Sequence, residues 1–448
     1  MVQEGYMLKT SDFAGPQYQI KQIPVYAQST GKAADPIRAG SRRYAMTDKL
    51  RPFVFSCDAH VAEPPDLFIK AMPEHLKQCV IHGEVQGDIR ITRIGEQVIL
   101  KINTNFHTHK TGEKDAAFNA QAADRSCTDS SDNFVSDCAV DTQRRGARDL
   151  QLRLADMDRD GVDAELVFPS LGLMLPRIAD PEGQAAACRI WNDWAWDYCS
   201  PVRDRLIPAA MIPCIDFDLA LAECQRAADK GFAAFCLWEG LNNYNDPRWD
   251  PIFALAAELG IPLVFHTGVG DINIRALKGP GGALFNYTRQ MNDAVDVITQ
   301  LIAGGVLDRH PSAHILFAEH SAGWLWGLAE RMDEVYNGHG PSISPKLSRL
   351  PSQIVRDQVH LALQNDGNSA MAIRKGVGID ALLFATDYPH AEGTFPFSKQ
   401  VIDKLVVDNP DVTADELVAI LGGNAAKLFK RANLGAAVAA RRLELLAA

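Results

Sequence analysis

Asp58-Ala59-His60, Glu239, His266, Glu319-His320 and Asp387 share one feature: each follows a short apolar run, at the point where an extended segment ends. Carboxylates and imidazoles are the side chains that hold divalent metal ions and move protons. Asp58 and His60 stand two apart, so on a strand both project from one face, as two ligands of one ion must. A D-x-H triplet alone is a weak signal, because such triplets arise by chance. Five strand-end sites with the same ligand chemistry are harder to dismiss, since a polar group turned toward a core is costly at each unless something there satisfies it. The pattern predicts a metal centre.

The elements that must position these residues can be read from the apolar runs. Phe53–Cys57, Ala164–Phe168, Leu206–Ile212, Ala233–Leu237, Pro262–Phe265, Ile315–Ala318, Val359–Leu363 and Ala381–Ala385 alternate with helical stretches such as Leu219–Lys230, Pro251–Leu259 and Asn292–Ile302. Eight strands with intervening helices predict an α/β chain folded as a distorted (β/α)8 TIM barrel, whose reactive groups gather at the strand ends. A large insertion, about residues 70–145, separates strands one and two. Within it, Ile89–Ile94 and Gln97–Ile102 flank Gly95-Glu96 as a β-hairpin, and residues 108–141, rich in Asp, Ser, Ala and Asn, read as a long loop over the barrel mouth. Residues 1–50, broken by Gly15-Pro16, Pro24 and Pro36, read as an N-terminal arm. Residues 51–430 then form the barrel with its insertion, and 431–448 a C-terminal helical extension. Thr413-Ala414-Asp415-Glu416 has capping-box spacing and opens a helix through Leu421.

Composition narrows the function. Of 448 residues, 47% are apolar and 23% charged, enough apolar material for a sizeable core. A net charge of −11 disfavours nucleic acid and anionic membranes, which leaves a small-molecule substrate as the expected partner, with a homo-oligomer also allowed. The first residues lack a basic start followed by an apolar run, and no stretch approaches the roughly 20 apolar residues that span a bilayer, so the expected location is cytoplasmic. Nine cysteines without a C-x-x-C pair suit a reducing compartment, and Cys57, Cys214 and Cys236 read as small buried hydrophobes. Signatures of P-loop, serine-hydrolase and Rossmann enzymes are missing. The basic cluster Arg38, Arg42, Arg43, Lys49 and Arg51 reads as a solvated arm, ahead of a site for a phosphorylated group such as coenzyme A.

Longer strings carry a resemblance. They are Asp58-Ala59-His60-Val61-Ala62-Glu63-Pro64-Pro65-Asp66-Leu67, Arg153-Leu154-Ala155-Asp156-Met157-Asp158-Arg159-Asp160-Gly161, Phe265-His266-Thr267-Gly268, Thr386-Asp387-Tyr388-Pro389-His390 and Asn424-Ala425-Ala426-Lys427-Leu428-Phe429. Over roughly residues 53–430 the chain resembles the amidohydrolase superfamily, in particular the amidohydrolase-related branch that includes aminocarboxymuconate-semialdehyde and benzoate-type decarboxylases. The resemblance implies a distorted barrel in which a first-strand H-x-H motif, histidines of strands five and six and an aspartate of strand eight bind one or two divalent metals. Two departures matter. Asp58 stands where the motif has its first histidine, and strand four ends in Glu239, the position that in two-metal members holds a carboxylated lysine or a bridging glutamate.

The expected variant is therefore binuclear. Asp58, His60 and Asp387 would hold one ion, His266 and His320 the other, with Glu239 and a hydroxide between them, a mixed ligand set that suits iron, manganese or zinc. Two ions roughly 3.5 to 4 Å apart lower the pKa of a bridging water, and Asp387 would accept and return the proton. This predicts hydrolysis of an acyl bond, whether amide, ester or thioester, in a small apolar carboxylic-acid derivative. The alternative is metal-dependent, non-oxidative decarboxylation of a small or aromatic carboxylate, which needs one ion; a non-catalytic binding module comes third. Because strand residues alternate faces, only one of Glu319 and His320 enters the site, and His320 is expected there with Glu319 in support. Trp324 and His390 are expected to meet substrate or support the ligands. His107-Thr108-His109 is a literal H-x-H but falls in the insertion, while Glu63 is expected to hold loop geometry. The insertion and the arm are expected to select the substrate, and the insertion to lean either on the barrel rim or on a second subunit, two alternatives that the sequence leaves open.

Overall fold

The computed structural model describes residues 52–86, 89–103, 145–269, 279–390 and 393–440, all within one unit of the chain, residues 45–448. The predicted arm, the long loop 108–141 and His107-Thr108-His109 lie outside the described residues. Each of the eight apolar runs contains a strand. These are β1 (Phe55–Val61), then, after three strands of the insertion, β5 (Ala164–Pro169), β6 (Leu206–Pro208) with β7 (Ala210–Met211), β8 (Phe235–Leu237), β9 (Leu263–His266), β10 (Ile315–Ala318), β11 (Val359–Leu363) and β12 (Leu382–Phe384). They are buried along almost their whole length, as parallel strands covered by helices must be.

All pairings among these strands are parallel, in the orders β1-β5-β6 and β7-β8-β9-β10-β11-β12. Only Ala209 separates β6 from β7. Its N–H donates to Val167 O (3.0 Å), and the next N–H, of Ala210, donates to Ala234 O (2.9 Å), so the run passes from one sheet to the other. At the opposite edges Ala59 and Tyr388 form a parallel bridge, in which His60 N–H donates to Tyr388 O (2.6 Å) and Asp387 N–H to Asp58 O (2.9 Å).

Helices fall where the periodicity places them, shifted by a residue or two at their ends. Leu150–Asp160 starts at Asp149, whose carboxylate accepts from Gln151 N and Leu152 N, and stops at Gly161 in the left-handed region (φ 78°) that glycine reaches without strain. Phe217–Lys230 is capped by Asp216, and Asp250–Leu259 and Met291–Ala303 follow β8 and β9. In the insertion, β2 (Ile81–Gln86), β3 (Ile89–Ile94) and β4 (Gln97–Asn103) form an antiparallel sheet. The β3–β4 hairpin matches the expected one. β2 is an addition: Gly83 interrupts its short alternation and masks the strand in sequence.

The capping box forms as the spacing predicts, Thr413 accepting from Glu416 N and the Glu416 carboxylate accepting from Thr413 N. That helix runs through a π-turn at Ala419–Gly423 into Asn424–Leu428, and Asn424 Nδ2 ties it to the carbonyls of Ile379 and Leu382 (both 2.8 Å). Residues 435–440 are helical, the described start of the C-terminal extension. Cys57, Cys214 and Cys236 are free and buried, and burial pushes their thiols up, that of Cys214 to about 12. No helix among the described residues is long and apolar enough to cross a membrane.

Candidate metal centre

Two backbone stitches bring the strand-one and strand-eight ligands together. Ser56 Oγ donates to Asp58 O (2.7 Å) and accepts from Thr386 N (2.8 Å), and the β-bridge at Ala59 and Tyr388 sets Asp387 beside Asp58 and His60. All three side chains are fully buried. His60 Nδ1 donates to Pro169 O (2.8 Å), which fixes the tautomer and turns the Nε2 lone pair toward Asp58 Oδ1 and Asp387 Oδ1, each 3.5 Å away. His266, at the end of β9, repeats the device: Nδ1 lies 2.6 Å from Thr267 O, and Nε2 lies 3.1 Å from Asp58 Oδ1.

Imidazole Nε2 atoms thus face carboxylate oxygens in a fully buried site. Asp58 Oδ2, His60 Nε2 and Asp387 Oδ2 are buried and have no hydrogen-bond partner among the described residues. A divalent cation between them would satisfy all of these groups at once, so the residues present fit a metal.

Two overlapping sets bring their ligand atoms within 4.8 Å of one another. Asp58, His60, His266 and Glu319 form one, and His60, Glu319, Asp387 and His390 the other. Glu319 Oε2 lies 3.9 Å from His266 Nε2. His390 Nδ1 lies 2.7 Å from Asp387 Oδ1, and its ring stacks on His60 at 4.2 Å. Burial pushes the Asp387 carboxyl up, but His390 and His60 outweigh it and hold the group well below the usual carboxylate range. Burial and the neighbouring His390 push His60 down. For His266 burial also acts downward, yet Asp58 prevails and raises it.

Glu239 and His320 stand apart from these sets and meet each other, Glu239 Oε2 to His320 Nε2 at 2.7 Å. Burial, reinforced by Asp293, lifts the Glu239 carboxyl well above its usual range, while burial and then His266 push His320 down to about 3. Both shifts run toward the uncharged forms. Trp324 Nε1 donates to the carbonyls of His320 (3.1 Å) and Ser321 (3.0 Å), so it braces the turn after β10.

Arg153 and Glu63 support the centre from behind. Arg153, fully buried, donates through Nε and Nη2 to Glu165 Oε2 (2.9 and 2.7 Å) and through Nη1 to His60 O (2.6 Å), while its guanidinium lies over the Tyr388 ring at 4.9 Å. Its signal was a charge on the helix face that also carries Met157 and Asp160, the buried face. The Glu63 carboxylate accepts from the N–H groups of Ser170, Leu171 and Gly172 (3.3, 3.0 and 2.8 Å), holding the loop as expected. Phe168, not singled out from sequence, packs on His266 (4.7 Å) and His60 (6.1 Å) and keeps the imidazoles covered.

Residues 57–431 match the amidohydrolase family. No curated protein matches the chain. Among solved structures, an amidohydrolase from Mycobacterium avium subsp. paratuberculosis is similar, at 22% identity and TM-score 0.66 over 85% of this chain and 100% of that one. The 5-carboxyvanillate decarboxylase of Sphingomonas paucimobilis is similar at 18% identity and TM-score 0.56, over 85% and 99% of the two chains. The 5-carboxyvanillate decarboxylase of Novosphingobium aromaticivorans, solved with manganese and 4-hydroxy-3-methoxy-5-nitrobenzoic acid, is similar at 17% identity and TM-score 0.57, over 86% and 100%. At these identities the likeness speaks for the fold alone, while the family match over residues 57–431 shows that the chain belongs to the amidohydrolase family of enzymes.

Proposed function

We propose that the chain is a metal-dependent, non-oxidative decarboxylase of a small aromatic carboxylate, built on a (β/α)8 barrel and working with one divalent ion. The observation that carries the one-ion reading is the partnership of Glu239 with His320, outside the two ligand sets that share His60 and Glu319. Asp58, His60, His266 and Asp387 would hold the ion, with Glu319 and His390 at its side. Manganese suits this mixed carboxylate and imidazole set and is the ion in one similar decarboxylase. When bound, such an ion fixes and polarises a carboxylate as a Lewis acid.

The chain's own residues must then supply a proton, because losing carbon dioxide without redox change leaves an electron pair on carbon that only a proton can quench. The Glu239–His320 pair, whose oxygen and nitrogen stand 2.7 Å apart, is the group placed to hold one. Arg153 and Glu63 keep the ends of β1 and β5 in place around it. The substrate is a small molecule, a reading that the net charge of −11 supports over nucleic acid or an anionic membrane.

Turnover of carboxylated aromatics in deuterium oxide tests the reaction. The expected result is carbon dioxide and one deuterium on the vacated carbon. Oxygen-18 from labelled water in a carboxylate product, without carbon dioxide, would replace this reading with acyl-bond hydrolysis. Metal analysis tests the centre: about one ion per chain is expected, unchanged in Glu239→Ala. Two ions falling to one in that variant would restore the bridging role that strand four suggests.

A further inference from the structure

Arg153, Asp156 and Asp160 stand three and four apart on the helix Leu150–Asp160, so all three lie on one side of it. Each reaches a segment that carries candidate ligands. Arg153 holds the His60 carbonyl, the Asp156 carboxylate accepts from the Tyr388 hydroxyl at 2.6 Å, and the buried Asp160 carboxylate accepts from the Ser398 N–H (3.0 Å) and the Ser398 hydroxyl. Thr394 N–H donates to Thr386 O (2.8 Å) and the Thr394 and Ser398 hydroxyls meet at 2.5 Å, so Asp156 and Asp160 hold one loop near its start and at its end. That loop presents Asp387 and His390. Tyr388 stands between them, and its carbonyl accepts from His60 N–H (2.6 Å) while its ring meets the Arg153 guanidinium (4.9 Å) and the edge of Phe395 (5.0 Å). Its hydroxyl bond is enclosed: a β-carbon on Gly146 would stand 2.2 Å from the Tyr388 oxygen and 2.7 Å from Asp156 Oδ2, so glycine is required there.

We propose that Asp156 is a positioning residue of the centre: by accepting from the Tyr388 hydroxyl it sets the turn from Asp387 to His390 against His60, in the geometry that side of the ligand set needs. Asp156 touches neither ion nor substrate and acts through Tyr388. The proposal rests on the reading above in one respect, that Asp387 and His60 hold a metal. Asp387 sits at φ 53°, a conformation that a non-glycine residue keeps only where its neighbours enforce it, and Tyr388 is the adjoining residue through which the helix can do so. The ring of His390 stacks on His60 at 4.2 Å, so a turn that relaxes moves both imidazoles. What Tyr388 requires is an acceptor oxygen. Asparagine in place of Asp156 supplies one and leucine does not.

Manganese affinity by chelator competition, and proton–carbon correlation spectra of the histidine rings in the metal-free protein, test this in five variants. Tyr388→Phe and Asp156→Leu should each weaken manganese binding about tenfold, the lower end for partners that orient metal ligands, and the double variant should lose no more than either alone. Both should move the ring signals of His60 and His390 and leave those of His314 and His360, which pair 3.1 Å apart where β10 and β11 begin. Asp156→Asn should keep the affinity within about twofold of the parent. Asp149→Ala, which removes the N-cap of the same helix, separates positioning from mere support: it should lower the melting temperature with affinity and ring signals unchanged. Unmoved His60 and His390 signals in Tyr388→Phe, a loss in Asp156→Asn equal to that in Asp156→Leu, or the same loss in Asp149→Ala overturns the proposal. A parent protein that binds no manganese sinks the reading above, and the ring signals then decide the positioning role by themselves. One ion per parent chain with unmoved signals does the reverse.

Discussion

Replacing Arg153 by Met tests whether the centre depends on a charge pair lying behind it. Met fills much of the same volume, but the substitution removes both donors to Glu165 Oε2 and the donor to His60 O. Glu165 is 1% exposed, so its carboxylate would be left buried without a counter-charge, a loss of about 3–5 kcal/mol. The orphaned His60 carbonyl adds about 1–3 kcal/mol. Removing both charges together, in Arg153→Met with Glu165→Leu, takes away the larger cost and should leave only the smaller one, because a buried pair replaced by apolar groups is close to neutral. Urea denaturation followed by the fluorescence of the chain's seven tryptophans reads both variants, on metal-free protein so that ion binding does not add to stability. Manganese affinity should drop in both, since each loses the donor that holds the His60 backbone. A single variant within about 1 kcal/mol of the parent, or a double variant no more stable than the single, would refute the reasoning.

Four further outcomes follow. Because Asp58 raises His266, protons compete with the metal for its imidazole from above pH 6.5, and manganese affinity should fall by up to tenfold per unit below that raised value; an affinity flat between pH 6 and 8, by chelator competition, would contradict this. The sign reverses without metal: the contribution of His266 to stability is fully present below about 6.5 and is lost as pH rises through its folded value, which pH-dependent unfolding of the metal-free protein checks. A β-carbon on Gly393 would stand 2.6 Å from Thr386 O and 2.7 Å from Asp387 O, so Gly393→Ala should cost about 1–3 kcal/mol and weaken manganese binding by displacing Asp387, as metal titration would show. Thr413→Ala opens the capping box far from the centre and should cost about 1 kcal/mol by thermal unfolding with metal content unchanged.

The strands were legible because burial on both faces leaves a plain mark, a run of Val, Leu, Ile, Phe and Ala between helical periods. β2 was not, since a half-exposed edge of a small sheet needs no such run and Gly83 breaks what alternation there is. Ligand types were legible for a related reason. A carboxylate or imidazole closing a buried strand is improbable unless it is satisfied there, and Asp58, His60, Glu239, His266, His320 and Asp387 are all buried at such ends. Which of them meet was not legible, because that depends on distances across the sheet between residues far apart in sequence. His266 lies 208 positions from the Asp58 oxygen it faces.

The partition of Glu319 and His320 turns on something more local. Alternation along a strand says that one of two neighbours faces the site, but it holds only while the backbone stays extended. β10 ends at Ala318; Glu319 has φ 65° and Ser321 φ 56°, so the chain turns through the left-handed region on either side of His320. Asp387 behaves likewise, at φ 53° after β12. Non-glycine residues held there carry a cost of order 1–3 kcal/mol each, and they persist only where the surroundings enforce them. Here the surroundings are the Trp324 donors to the His320 and Ser321 carbonyls, the stitch from Asp387 N to Asp58 O and the close approach of Gly393 to the Asp387 carbonyl. The turn lets both neighbours reach inward, Glu319 to the His60 and His266 sets and His320 to Glu239, where a strand would have admitted only one. The same strained backbone that defeats the alternation rule is what lets one strand end serve both the candidate ligand sets and the Glu239–His320 pair.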